Sequence, residues 1–125
     1  MNNPVGWFEI YVDDLARAQA FYETVLGTTL QPLPTPEGDV AQMIAFPMDP
    51  EGQGSSGALV KMNDERPSGN SVIIYFTCDD CAVEGSRVVA SGGSIMKEKF
   101  SIGEYGAIVL AYDTEGNVFG LHSMK

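Results

Sequence analysis

The stretch GWFEIYVDDLARAQAFYETVLG, residues 6–27, changes its hydrophobic period partway along, from two to nearly four. In the first half Phe8, Ile10 and Val12 alternate with Trp7, Glu9 and Tyr11, the pattern of a strand with one apolar face. In the second half Leu15, Ala18, Tyr22 and Val25 fall on one side of a helix. An Asp at 13 or 14 can cap that helix by accepting from its free N–H groups, and Gly27 is a suitable stop. The spacing therefore predicts a strand over Phe8–Val12 that leads directly into a helix.

A faint second copy follows in CDDCAVEGSRVVASGG, residues 78–93. Aligning Asp14 with Asp80 sets an offset of 66 and places Gly27 on Gly93, while AFPMDPEG (45–52) and VLAYDTEG (109–116) match at an offset of 64. Two matches at nearly one spacing point to a duplicated unit. Each copy reads strand, helix, then three strands. In the first, TLQPLPTP (29–36) must be irregular or an edge strand because of its prolines, VAQMIAFPM and SGALVKM read as strands, and DPEGQGSSG (49–57) as a mobile surface loop. In the second, SVIIYFTC is a strand, a helix runs from about Cys81 to Ala90, and SIMKEKF, YGAIVLAYD and NVFGLHSM are strands. DTEGN (113–117) is the tight turn between the last two. NDERPSGN (63–70) links module 1–63 to module 71–125.

The 125 residues suit a single domain, and with 44% hydrophobic and 19% charged residues they can build a packed core. Seventeen acidic against seven basic residues leave a net charge of −10, which repels phosphate backbones and anionic lipid. Nucleic acid and membrane surfaces are therefore excluded as expected partners. No apolar run approaches a membrane span, and Met1–Gly6 lack the basic region of a signal peptide, so the expected location is cytoplasmic.

Two copies of strand, helix and three strands, with DDLARAQAFY after the first strand and DTEGNVFGL near the end, resemble the vicinal oxygen chelate superfamily. That group includes glyoxalase I, extradiol dioxygenases and bleomycin-resistance proteins. The resemblance covers essentially the whole chain. It implies an α+β fold in which two βαβββ modules form curved mixed sheets around a cavity, often completed across a homodimer, with a divalent metal held by strand residues.

The resemblance also says where those metal ligands belong. The usual histidine, eight residues before the Leu of V-x-D-L, corresponds to Trp7, and its counterpart in the second module to Ile73. Where the family often reads G-N-x-x-E-L the chain has GNVFGL, so Gly120 replaces the carboxylate, and the fourth position falls near Gly57 or Ala58. None of these side chains is a donor to a hard divalent ion. The expectation is a lost metal site and no cofactor. A displaced site using Glu9 and His122, each two residues from a lost position, would have too few donors for tight binding.

Glu9 then reads in three ways: a structural carboxylate bonded to a cross-strand Tyr or backbone N–H, an anchor for a cationic or hydroxylated ligand, or a general acid or base. His122 is its only plausible acid/base partner, if the first and last strands are close, but an exposed or structural histidine is the favoured reading. Cys78 and Cys81 form a lone C-x-x-C, but they align with the core positions Val12 and Leu15, which favours reduced, buried thiols over redox or zinc chemistry. The favoured reading is a metal-free small-molecule-binding protein with Trp7, Tyr11, Tyr75 and Gly120 as ligand-contacting positions. The alternatives are a lyase or isomerase related to glyoxalase I that uses Glu9 and His122, and a non-catalytic interaction module whose cavity is filled by its own side chains.

Overall fold

The computed structural model describes residues 3–34, 41–62 and 72–125. The linker 63–70 and the end of TLQPLPTP lie outside these. The chain forms two compact units, one of Trp7–Val72 and one of Ile73–Lys125 together with Met1–Gly6.

The first unit contains β1 (Val5–Tyr11, whose first two residues belong to the other unit), α1 (Leu15–Leu26), β2 (Gln31–Leu33), β3 (Ala41–Ala45) and β4 (Ser56–Met62). Its strand order is β2-β3-β4-β1, with β1 parallel to β4 and the other pairs antiparallel. The Asp14 carboxylate caps α1 by accepting from the Arg17 N–H at 3.0 Å, and Gly27 ends it at φ 65°. Val12 falls just outside β1, because the chain is already turning into this cap, yet its N–H still reaches the Val60 carbonyl at 2.9 Å.

Tyr22 of α1 meets Phe46 edge-on at 5.8 Å between centroids, and Phe46 meets Phe8 at 5.5 Å. Phe8 and Ile10 therefore face the helix, as their alternation predicts. They pair with Gly57 and Leu59 on β4, and a side chain at Gly57 would collide with the Phe8 ring. Val25 departs from the expected apolar face, since it is 62% exposed. In the last turn the side chain that faces the returning chain is Glu23, which accepts from the Leu30 N–H at 2.8 Å and from Gln19 Nε2 at 3.1 Å. Pro32 sits on β2 at the sheet edge, where a missing N–H costs no ladder bond.

The second unit repeats the plan with β5 (Val72–Thr77), α2 (Cys81–Gly85), β6 (Ser94–Ser101), β7 (Ala107–Tyr112) and β8 (Val118–Ser123). The order is β5-β8-β7-β6, again with one parallel pair, β5 and β8. Its core is Cys81, Ala107, Val109 and Leu121, with Phe76, Cys78, Val88, Ile95 and Phe119 packed around it. Both thiols are free; Cys81 is fully buried as the repeat predicts, whereas Cys78 is only partly buried, and burial pushes its thiol up to about 11.

α2 is shorter than the expected helix to Ala90. It stops at Gly85, and a separate 3-10 turn follows at Val89–Ser91. Ser86 Oγ donates to the Val83 carbonyl at 2.6 Å, a local bond that competes with helix continuation. Gly85 in turn lets α2 lie close to β7, because a Cβ there would sit 3.3 Å from a Val109 methyl. Asp113 closes the β7–β8 turn by accepting from the N–H groups of Glu115 and Asn117. Among the described residues, no helix is long and apolar enough to cross a membrane.

Among the described residues, eight strands with mixed pairing and few helices make this an α+β fold of two βαβββ modules.

Candidate functional site

With Phe8 and Ile10 against the helix, the period of two sends Trp7, Glu9 and Tyr11 to the opposite face of β1. The three side chains are joined there. Tyr11 Oη donates to Glu9 Oε1 at 2.6 Å, and Trp7 Nε1 donates to Glu9 Oε2 at 3.3 Å. Each carboxylate oxygen thus receives an aromatic donor from two residues away on its own strand. Expectation and structure differ here, because the tyrosine bonded to Glu9 is its strand neighbour and not a cross-strand residue. The reason is geometric, since residues i and i+2 of a strand project side by side.

The register completes this face. Glu9 pairs with Ala58, and Ala58 with Ala45, so the carboxylate lies in a row of small residues. The next row is Tyr11, Val60 and Met43. Tyr11 is buried, whereas Trp7 and Glu9 are half-buried, so these two are the parts of the cluster that solvent reaches.

In the second unit Tyr75 pairs with Gly120, and its ring lies over that residue. A Cβ at 120 would come closer than 3.0 Å to two ring carbons, a separation that real Cβ atoms essentially never show. The volume of a longer side chain at 120 is therefore occupied by the tyrosine. His122 lies two residues on, paired with Thr77 and Ile108. Its Nε2 stands 2.6 Å from the Tyr105 carbonyl, which can only accept, so the Nε2 position carries the proton. Nothing in the sequence signalled this bond, because it joins a strand to the backbone of a short 3-10 turn, Gly103–Tyr105.

The structure therefore groups Trp7, Glu9 and Tyr11 in one unit and Tyr75 with Gly120 in the other, while His122 is tied to a backbone carbonyl. A cleft of about 320 Å³ in the second unit, bordered by Glu84, Arg87, Val88, Tyr112 and Phe119, holds none of these groups. Among the described residues no three His, Cys, Asp or Glu side chains form a group that could hold a metal ion. The side chains at the family's ligand positions do not fit a hard divalent ion either: indole at 7, sec-butyl at 73, hydrogen at 57 or methyl at 58, and a ring-covered glycine at 120.

Comparison with known proteins agrees with this architecture. A family model described as Bleomycin resistance protein-like N-terminal matches residues 5–43. No curated protein matches the chain in sequence. Among solved structures, a variant of Streptomyces coelicolor methylmalonyl-CoA epimerase in complex with 2-nitronate-propionyl-CoA aligns with TM-score 0.71 at 16% identity, over 97% of this chain and 96% of that one. A hypothetical protein from Bacillus halodurans aligns with TM-score 0.74 at 14% identity, over 100% and 96%. Methylmalonyl-CoA epimerase from Mycobacterium tuberculosis aligns with TM-score 0.70 at 15% identity, over 98% and 88%. At such identities the structural likeness speaks for the fold, and the match over residues 5–43 agrees with the resemblance of the first module to bleomycin-resistance proteins.

Proposed function

We propose that the protein binds a small organic molecule at the Trp7–Glu9 face of β1 and does so without a metal ion. The observation that carries this reading is the Glu9 carboxylate, held by Tyr11 and Trp7 on the sheet face away from α1 and only half-buried there. The match to a bleomycin-resistance-like N-terminal module, which contains this cluster, supports binding over turnover. Tyr75 lying over Gly120 supports metal independence, because a carboxylate ligand at that corner would have no room.

A thermal-shift screen of small organic molecules, run in excess EDTA on the wild type and on Glu9→Gln, tests the reading. A compound that raises the melting temperature in EDTA, with the effect lost in Glu9→Gln, is the expected result. Stabilisation only after adding nickel or zinc, or an effect untouched by the substitution, overturns it.

The epimerase structures sharing this fold favour one second reading, in which Glu9 moves a proton at a carbon acid. Incubation with methylmalonyl-CoA in D2O would then exchange its α-hydrogen, and Glu9→Gln would abolish the exchange. An unchanged NMR spectrum removes this alternative.

A further inference from the structure

We infer that the second unit carries a site for a small organic anion with an apolar body, on the sheet face away from α2, with the Lys97 ammonium as its charge partner. The inference uses no residue of the first unit and so goes beyond the Glu9 reading.

The face follows from the register. Val109, Leu121 and Phe76 pair across β7, β8 and β5 and pack with Cys81 of α2. The period of two then sends their strand neighbours to the other face. Two rows cross it: Lys97, Leu110, Gly120 and Tyr75, and beside them Phe100, Ile108, His122 and Thr77. In a chain with 17 acidic and seven basic residues, these rows hold a lysine and the only histidine, and no acid.

The lysine is uncommitted. Its Nζ lies 3.9 Å from the centroid of the Phe100 ring, a contact that leaves its N–H groups without an acceptor. Among the described residues Lys97 has no ion pair or hydrogen bond, whereas Lys99 is bound to Asp80 at 2.9 Å beside α2. Glu98, in the bulge between Lys97 and Phe100, makes no ion pair with it.

Phe100 and His122 both pair with Ile108, so two strand spacings, about 10 Å, separate them. The ammonium over Phe100 and the His122 ring thus flank an aliphatic floor of Ile108 and the half-buried Leu110, wide enough for one ring or a short chain. His122 adds no negative charge at its end, where Nε2 is held by the Tyr105 carbonyl at 2.6 Å. A neutral ligand would gain only the apolar contact and an inorganic anion only the charge; the face supplies both. Charges beyond about 8 Å are screened at physiological salt, so the ammonium beside the ligand outweighs the chain's total of −10.

His122 is the only histidine, so its imidazole proton NMR signals report on this face. The full-length protein is titrated with 3-phenylpropionate, with 3-phenyl-1-propanol as its neutral counterpart, and with acetate as the charge without the body. The acid is expected to shift the His122 signals saturably, with the alcohol and acetate at least tenfold weaker. Lys97→Met, which keeps the length of the side chain, should weaken the acid at least tenfold. Lys99→Met removes the same charge on the α2 side and should leave it unchanged.

Unmoved His122 signals, or an alcohol that binds as tightly as the acid, would overturn the inference. So would equal losses in Lys97→Met and Lys99→Met, which would reduce the effect to net charge. Acetate binding as tightly as 3-phenylpropionate would overturn the apolar bed. Failure here leaves the Glu9 reading standing, and a thermal shift that survives Glu9→Gln but is lost in Lys97→Met belongs to this site.

Discussion

Gly120→Ala is the substitution whose outcome the structure constrains most tightly. In a strand, replacing glycine by alanine ordinarily stabilises by about 0.5–1 kcal/mol, because the unfolded chain loses freedom. Here the added methyl would stand 3.0 Å from Tyr75 Cγ and closer still to two other ring carbons. The ring is only 7% exposed, so it has little room to retreat, and forcing an extra methyl into a packed site costs roughly 1–3 kcal/mol. The net expectation is a loss of about 1–2 kcal/mol, or roughly 3–10 °C in Tm for a domain of this size.

Urea unfolding followed by far-UV circular dichroism measures this, and a second background isolates the cause. Tyr75→Ala alone should be costly, at about 3–5 kcal/mol, because it empties a buried site. With the ring gone, Gly120→Ala should become neutral or stabilising, a coupling on the order of 1–3 kcal/mol between the two positions. Gly120→Ala that stabilises the wild type, or that costs the same in both backgrounds, would refute the placement of Tyr75 over Gly120. A carboxylate side chain would then have room at position 120.

Three other outcomes follow from the local geometry. Asp14→Ala removes the carboxylate that accepts from the Arg17 N–H, and the urea midpoint should report a loss of about 1 kcal/mol; no change would mean that the cap does not support α1. Glu23, Asp80 and Asp113 are held below their ordinary values of 4.5, 3.8 and 3.8, mainly by the Leu30 N–H, by Lys99 and by the Asn117 N–H. A lowered folded pKa means that the unfolded chain takes up protons first, so their contribution is complete above those ordinary values and disappears as pH falls through the lower folded ones. Urea midpoints should thus hold from pH 7 to 5 and decline below about pH 4.5, and a midpoint that rises on acidification contradicts the assignment. Cys78, at about 11 instead of 9.0, should have roughly 100-fold less thiolate at pH 8 than an ordinary cysteine. Ellman's reagent should then react slowly with the folded protein and fast in urea, whereas equal rates would show the thiol to be unprotected.

The fold was legible where local signals agree with tertiary packing. The cap at Asp14, the stop at Gly27 and the alternation from Trp7 to Tyr11 each act over a few residues, and all three appear in the structure as read. Gly85 and Ser86 weaken helix propensity, and there the helix does end early. Val25 could not be placed from periodicity, because whether a helix's last turn reaches the sheet depends on where the following chain returns. The candidate site was half legible. Alternation puts Trp7, Glu9 and Tyr11 on one face, but their hydrogen bonds depend on rotamers that sequence does not reveal. Tyr75 and Gly120 come from segments 45 residues apart, and only the parallel register of β5 on β8 brings the ring over the glycine. The His122 bond to Tyr105 likewise depends on a turn whose geometry is set by Gly103 and Gly106, both at positive φ.

Native mass spectrometry of the protein, purified without chelator and without added metal, tests the central claim most directly. The account predicts a fraction carrying a small organic molecule, lost in Glu9→Gln, and no stoichiometric divalent metal. A one-to-one complex with nickel, zinc or another divalent ion would contradict it.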